Sequence, residues 1–380
     1  MSGNGRPTVA TIDLDALAFN FHSSKRFIGE DIRYLAVVKA NAYGHGAVAC
    51  ARRLESEGVD WFGVALVEEG VELRNAGITK PILVLGGFWS GQENDVIDRD
   101  LTPAISTINQ LELLETAAAA RSENINVHIK IDTGMMRIGV RWTEFDEFAA
   151  RVSTCEHLTV EGVMTHFAAA DDLAETSFTD EQMQRFDLCV SKLRSLGIEP
   201  EIIDLANSPG AVGHPKARRQ MVRLGGILYG LGGDVLAKEI DKPELRPVMS
   251  LRSKVAMLKQ VQAGETIGYG RSFKTDRDTT IAVIPIGYAD GLPRSLSSNG
   301  SMLIRGHIAP ILGRVSMDWT VIDVSEIEGV LAGDEVTLLG TDGDHRILAE
   351  NIAAITNTIS YEITCGIGPR VSRLVIGGTK

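Results

Sequence analysis

Cysteine is scarce in this 380-residue chain. The four present, Cys50, Cys155, Cys189 and Cys365, stand far apart with no CxxC pair. Neither a zinc ribbon nor a disulfide framework is suggested, no metal site is expected, and a reducing compartment is the simplest setting. No apolar run approaches the length of a membrane span. The opening MSGNGRPTVATID has no apolar core of signal-peptide length, so a cytoplasmic protein is expected. Excess positive charge is missing too. Lys and Arg number 38 against 50 Asp and Glu, a net charge of −12. Nucleic acid and anionic membranes are poor partners for such a chain, although a local site for a small anion stays open. No GxGxxG follows the first strand-like runs, so a dinucleotide fold lacks local support. The C-terminal half shows no internal repeat, and no low-complexity segment occurs anywhere.

What is present reads as an ordinary soluble globular protein. Apolar content is 44% and charged content 23%. The length favours two domains. Thr8–Ile12 is a short β-like run, and Asp13 or Asp15 can cap the helix that follows to about Lys25. A rhythm then begins. Strand-like runs fall at Tyr34–Val38, Trp61–Ala65, Ile82–Leu85, Thr102–Ile105, Asn126–Ile131, Leu158–Met164, Ile202–Leu205 and Met221–Leu224. Helical patterns separate most of them, at Ala47–Glu57, Val67–Ala76, Gln92–Asp98, Asn109–Ser122, Thr143–Val152 and Thr179–Leu196; Pro209–Arg218 is only weakly helical. Short apolar runs alternating with helices imply a parallel sheet with crossovers. Eight such units fit a (β/α)8 TIM-type barrel, with an open doubly wound sheet as the alternative.

The barrel reading places chemistry. Active sites of these barrels lie at the C-terminal ends of the strands. Lys39 ends the first strand, inside AVVKANAYGHGA, where an apolar run breaks into turn-type residues. Asp132 and Arg137 follow the fifth strand, His166 the sixth, Asn207 and Ser208 the seventh, and Arg223 ends the eighth. Each alone is ordinary as a structural residue: Lys39 as a surface salt bridge, His166 as a satisfied histidine, Arg223 as a buried ion-pair partner. A lysine desolvated at such a mouth is suited to Schiff-base and general-base work.

After about Asp241 the texture changes. Pro243 and Pro247 bracket a linker, and glycines punctuate short alternating runs at Ser250–Leu258, Thr280–Ile286, Ser301–Ile304, Thr320–Val324 and Glu335–Leu339. One helix, Leu348–Asn357, interrupts this β pattern, and RVSRL reads as a last strand. The expected division is residues 1–243 as the barrel and 244–380 as a C-terminal, mostly-β domain.

Nine motifs carry a specific resemblance: VVKANAYGHG, KIDTGMMRIG, EGVMTHFAAAD, ANSPGA, VRLGGILYG, GYGRSF, IGYADG, GRVSMD and IGPRVSR. With these, over nearly its whole length, the chain resembles the bacterial alanine racemases, fold-type III enzymes that depend on pyridoxal 5'-phosphate. The resemblance implies interconversion of L- and D-alanine, for peptidoglycan or alanine catabolism, by a homodimer with shared active sites. It implies Lys39 as the Schiff-base lysine, with Tyr43, Ser208, Gly225 and Tyr361 around the cofactor phosphate. Arg223 would contact the pyridine nitrogen, as a donor that cannot leave its proton there. Racemisation needs a proton carrier on each face of Cα. By resemblance these are Lys39, for the D-antipode, and Tyr269 of the partner subunit, for the L-antipode. A free tyrosine titrates near 10 and needs cationic neighbours; Arg271, Arg137 and His166 are candidates, with His166 the family's partner to that tyrosine. Arg137 and the Met317 N–H would hold the substrate carboxylate, with Asp318 beside them. Lys130 matches a lysine carbamylated in some members, which would orient Arg137.

The chain departs from the family pattern at Met136, Leu224, Gly226 and Trp319. None removes a catalytic group, but strictness for alanine is left open, since one methylene is worth only about 1–3 kcal/mol of discrimination. A serine or broad-specificity racemase, a cofactor carrier without turnover, and a decarboxylase or aldolase on the same barrel are the rival expectations.

Overall fold

The computed structural model describes residues 5–378; the outermost residues of the two expected domain ranges, 1 and 380, lie outside them. In chain order the strands are β1 (Val9–Asp13), β2 (Arg33–Val37), β3 (Trp61–Val64), β4 (Ile82–Val84), β5 (Thr102–Ile105), β6 (Ile125–Asp132), β7 (Val140–Arg141), β8 (Leu158–Met164), β9 (Ile202–Asp204) and β10 (Met221–Leu224). They continue as β11 (Met249–Lys254), β12 (Met257–Val261), β13 (Thr266–Ile267), β14 (Phe273–Lys274), β15 (Thr279–Ile284), β16 (Ser301–Ile304), β17 (His307–Pro310), β18 (Thr320–Asp323), β19 (Glu335–Asp342), β20 (His345–Ile347) and β21 (Ser372–Ile376).

A parallel sheet running β2-β3-β4-β5-β6-β8-β9-β10 closes on itself through β10–β2 and β5–β6 pairing. This is the eight-stranded barrel. Its strands β3, β4, β5, β9 and β10 are buried at every position. Their continuous apolar runs are what a strand covered on both faces requires. Helices Ala47–Ser56, Val67–Asn75, Glu93–Asp98, Ile108–Arg121, Phe145–Val152 and Thr176–Ser195 connect them. Asp13, not Asp15, caps the first helix, Leu14–Ile28: its carboxylate accepts from the Asp15 and Ala16 N–H groups. The weakly helical connection resolves into a short helix, Ser208–Gly213, and a 3-10 turn, Pro215–Ala217.

The second sheet runs β17-β16-β19-β11-β1-β21. Strand β1 lies within the range expected for the barrel, yet it pairs with β11 and β21 at the other end of the chain. Its burial alternates residue by residue, which fits a sheet with one buried face and not the barrel wall. The run Ser250–Leu258 is likewise two strands. The Val255 N–H donates to Asp334 O beside β19, and the next N–H, of Ala256, donates to Val283 O on β15. There the chain leaves one sheet for another, the three-stranded β12-β15-β18. Strands β13, β14, β17 and β20 and the helix Ser360–Cys365 have no counterpart in the sequence expectations. The β16–β17 hairpin turns on Arg305 and Gly306, both at positive φ, as a two-residue primed turn requires.

One buried side chain ties the linker to the barrel. Asn20, fully buried on the first helix, donates to Leu228 O (3.0 Å) and Arg246 O (2.7 Å) and accepts from the Arg246 N–H (2.7 Å). Asn20→Ala leaves three backbone groups without this partner. The expected cost is about 2–4 kcal/mol, read as a lowered thermal unfolding midpoint; an unchanged midpoint would show that the linker is held elsewhere.

Candidate active site

The site starts at the end of β2. Val38 is still on the right-handed side (φ −117°, ψ 16°), but Ala40, Asn41, Ala42 and Tyr43 all have φ between 52° and 54°. Four consecutive residues with side chains thus form a left-handed turn directly after Lys39. At about 1–2 kcal/mol per residue, such a turn needs compensation. Ala42 N–H donates to Val38 O (2.8 Å), Gly44 N–H to Ala40 O (3.0 Å), and Gly46 N–H to Asn41 O (2.9 Å). The Asn41 Oδ1 accepts from Ala47 N–H (2.8 Å), and Ala40 N–H donates to Glu69 Oε1 (2.6 Å). Gly44, at φ +85°, closes the turn where a Cβ would collide with the Thr364 carbonyl.

The turn leaves Lys39 among cations. Burial lowers its proton affinity first, and Arg137 and Arg223 lower it further, while Glu69 acts in the opposite sense. Lys130, on β6, is buried and donates to Leu85 O (2.8 Å). Burial, then Arg223, Arg137 and Lys39, bring its pKa down to about 7. Arg223 pairs with the fully buried Asp204 at 2.5 Å and donates to Thr165 O at 2.8 Å. It also donates to Leu205 O (3.3 Å) and to His166 Nδ1 (3.3 Å). A guanidinium only donates, so Nδ1 accepts and the imidazole proton sits on Nε2. Burial and the surrounding cations push His166 down to about 2. A neutral His166 offers a hydrogen bond, not the positive charge that the sequence reading considered for a tyrosine base. Arg137 is exposed, in a loop whose preceding turn is held by Asp132 Oδ1 accepting from Gly134 and Met136 N–H.

Beside the cations lies an anion cradle. Ser208 Oγ accepts from the Gly225 N–H (2.9 Å). Tyr43 and Tyr361 pack edge to face, with centroids 5.2 Å apart. A Cβ on Gly225 would stand 2.5 Å from Tyr43 Oη, and one on Gly226 would overlap the Tyr361 ring. Two glycines therefore keep open the space onto which two phenols converge. Burial raises both phenol pKa values, so both remain O–H donors. Hydroxyls and backbone N–H groups arranged this way suit a phosphate without a dedicated cation. Beneath them Tyr229, fully buried, donates to Val37 O (2.9 Å) and stacks on His45.

The C-terminal candidates stand apart. Tyr269 occupies the turn between β13 and β14, is 70% exposed, and shares no hydrogen bond or ring contact with the Lys39 cluster among the described residues. The Arg314 guanidinium packs on neighbouring Gly270. Met317 is half exposed; its carbonyl accepts from Ala289 N–H, and its own N–H has no partner among the described residues. One Asp318 carboxylate oxygen, Oδ1, accepts from Arg370 (2.6 Å), and the Asp318 carbonyl accepts from Arg6 (3.2 Å). Arg6 in turn pairs with the buried Asp290 (2.7 Å). The Asp318 side chain thus helps fix this turn through Oδ1. Sequence reasoning missed Glu69, Asp204, Tyr229 and His45. Only Glu69 had a signal, an acid in the first turn of a helix.

Fold and site together define an enzyme of the TIM-barrel class whose mouth carries a lysine of lowered proton affinity beside an anion cradle. A family model described as alanine racemase, N-terminal domain, matches residues 12–232, and one described as alanine racemase, C-terminal domain, matches residues 248–375. An alanine racemase of Geobacter sulfurreducens is 43% identical over 378 residues, 98% of each chain. The alanine racemase of Clostridium difficile 630 superposes with a TM-score of 0.92 at 38% identity, covering 98% of this chain and 96% of that one. That of Bartonella henselae, with covalently bound pyridoxal phosphate, gives 0.88 at 30% identity, covering 98% and 100%. The chain belongs to the alanine racemase family, whose members are pyridoxal-phosphate-dependent isomerases.

Lys130 supplies a pH prediction. Unfolded, its amine takes up a proton near pH 10.5; folded, it does so only near pH 7. The unfolded chain therefore binds more protons between these values, and folding stability falls as pH drops through that window, by about 5 kcal/mol in all. Lys130→Met removes this dependence. In bicarbonate-free buffer, the stability difference between variant and wild type should grow in the variant's favour from pH 10 to pH 7 and then level off. A difference that does not change with pH would contradict the lowered pKa.

Proposed function

We propose that this chain interconverts L- and D-alanine with pyridoxal 5'-phosphate bound at the barrel mouth. One observation carries the reading: the Lys39 amine, its proton affinity lowered by burial and Arg137, stands at the end of β2 beside the cradle of Tyr43, Ser208, Gly225 and Tyr361. The cradle fits the cofactor's phosphate, since the two glycines leave the space open and the hydroxyls of Tyr43, Ser208 and Tyr361 can donate to it. When bound, the cofactor acts as an electron sink that acidifies the Cα–H of the amino acid joined to it.

The chain's own residues do the rest. Lys39 would hold the cofactor, and its free amine would serve as the base on one face of Cα. Tyr269 takes the other face. Arg137 and the unpaired Met317 N–H hold the substrate carboxylate. Arg223 would donate to the cofactor ring nitrogen, with Asp204 balancing its charge. Lys130, with a substantial neutral fraction near pH 7, would be nucleophilic toward carbon dioxide, and its carbamate would face Arg137.

Tyr269 is exposed together with Tyr288, Met317 and Trp319, which supports a homodimer in which each chain lends its tyrosine to the other's barrel. A cytoplasmic setting and a place in peptidoglycan supply or alanine catabolism belong to the same reading. Among the described residues no helix is long and apolar enough to cross a membrane.

Purified protein with added cofactor should form D-alanine from L-alanine faster than it turns over serine. Faster serine turnover would contradict the alanine assignment. Lys39→Ala should lose the visible absorbance of the bound cofactor together with activity. Tyr269→Phe should slow proton abstraction from L-alanine by about 10²–10⁴-fold while retaining the cofactor. Mixing the two inactive variants should restore activity if the site is shared; heterodimers without activity would refute sharing.

A further inference from the structure

We infer that Glu69 is the positioning residue of Lys39: its carboxylate ties the peptide that follows Lys39 to the neighbouring barrel unit and so sets where the amine stands. The inference rests on reading Lys39 as the cofactor lysine.

The Ala40 N–H belongs to the peptide joining Lys39 to Ala40, and it donates to Glu69 Oε1 at 2.6 Å. The other oxygen, Oε2, accepts from the Ala65 N–H at 2.7 Å and the Leu66 N–H at 3.2 Å, just past the end of β3. One carboxylate thus bridges the loops after two adjacent strands at the end of the barrel that carries the site. Most of the remaining bonds of the left-handed turn are made within residues 38–47; Val38 N–H to Gly63 O (2.8 Å) and Arg373 Nε to Gly44 O (3.2 Å) hold its two ends, and the bond to Glu69 is the one made by the Lys39–Ala40 peptide itself. The anchor sits on a rigid support, the first turn of the helix Val67–Asn75, where an acid is also favoured by the helix dipole.

The chemistry requires an acid. Three N–H groups point at Glu69, and a carboxylate is acceptor on both oxygens. Glutamine has one accepting oxygen, so its amide nitrogen would face either Ala40 N–H or the Ala65–Leu66 pair. Aspartate keeps the charge but is one methylene too short to span both loops. The three donors are uncharged, so the negative charge remains to favour a protonated Lys39 against Arg137 and Arg223, in accord with the direction of its effect on that amine.

The test compares Glu69→Gln and Glu69→Asp with a control, Glu68→Gln, one residue away and bonded instead to the Gln92 side chain. Competitive acetylation of the full-length, cofactor-free chain reads the protonation midpoint of Lys39, and alanine racemisation reads kcat and KM. Glu69→Gln should move the Lys39 midpoint down by about one pH unit and lower kcat by about 10- to 100-fold, with a much smaller change in KM for alanine. Glu69→Asp should keep the midpoint near wild type while kcat still falls, separating tether from charge. Glu68→Gln should change neither. Wild-type midpoint and kcat in Glu69→Gln, or wild-type kcat in Glu69→Asp should the Gln variant not fold, would overturn the inference. A lowered melting temperature with both readouts unchanged would leave Glu69 a helix cap and overturn it as well. Borohydride reduction of the wild-type holoenzyme with peptide mapping runs alongside. A label on another lysine removes the reading of Lys39 and this inference with it; a label on Lys39 with indifferent Glu69 variants removes this inference alone.

Discussion

Positive charge gathered out of water is the constraint on which the barrel mouth depends. Arg223 is buried, Arg137 bears on the same groups, and a guanidinium does not give up its proton. The groups that can yield must therefore do so. Lys130 falls to about 7 and His166 to about 2, and Lys39 is lowered as well. Two carboxylates oppose this, Asp204 paired with Arg223 and Glu69 at the Lys39 peptide. The balance produces what an amine-exchanging enzyme needs, lysines that are nucleophilic without an alkaline medium. The left-handed turn after Lys39 serves the same end, since it directs the chain away from the strand and into the Tyr43 side of the cradle.

Much of this was legible in the chain. The eight barrel strands read true because a strand covered on both faces is a continuous apolar run, and chemistry-bearing residues followed at a single end. The β1 strand was harder: order along the chain placed it with the barrel, and only its alternating burial betrays the other sheet. The crossing from β11 to β12 left no trace, because apolar residues continue while the hydrogen-bond partners change. The turn at Ala40–Tyr43 has no glycine among its four residues, and Asn41 is the only one that tolerates the left-handed region well. Its stability comes from elsewhere, above all a partner 29 residues away. Asp204 meets Arg223 across two adjacent strands, a pairing that no local pattern announces.

The C-terminal half was legible as β-rich but not in its details. Tyr269 and Met317 lie on exposed turns, and the Asp318 carboxylate is bound by Arg370. The resemblance named the residue types around a substrate. The contacts add what each already holds: Asp318 Oδ1 accepts from Arg370, and the Met317 N–H has no partner among the described residues.

The central claim is that the two proton carriers sit on separate elements, Lys39 at the barrel mouth and Tyr269 on a β-domain turn. Racemisation of L-alanine deuterated at Cα, run in ordinary water and sampled within the first turnover, tests it most directly. Two carriers that exchange independently with solvent predict D-alanine bearing a solvent proton, with no return of the substrate's deuterium. Product that retains the deuterium would mean that one group works both faces, and would contradict the account.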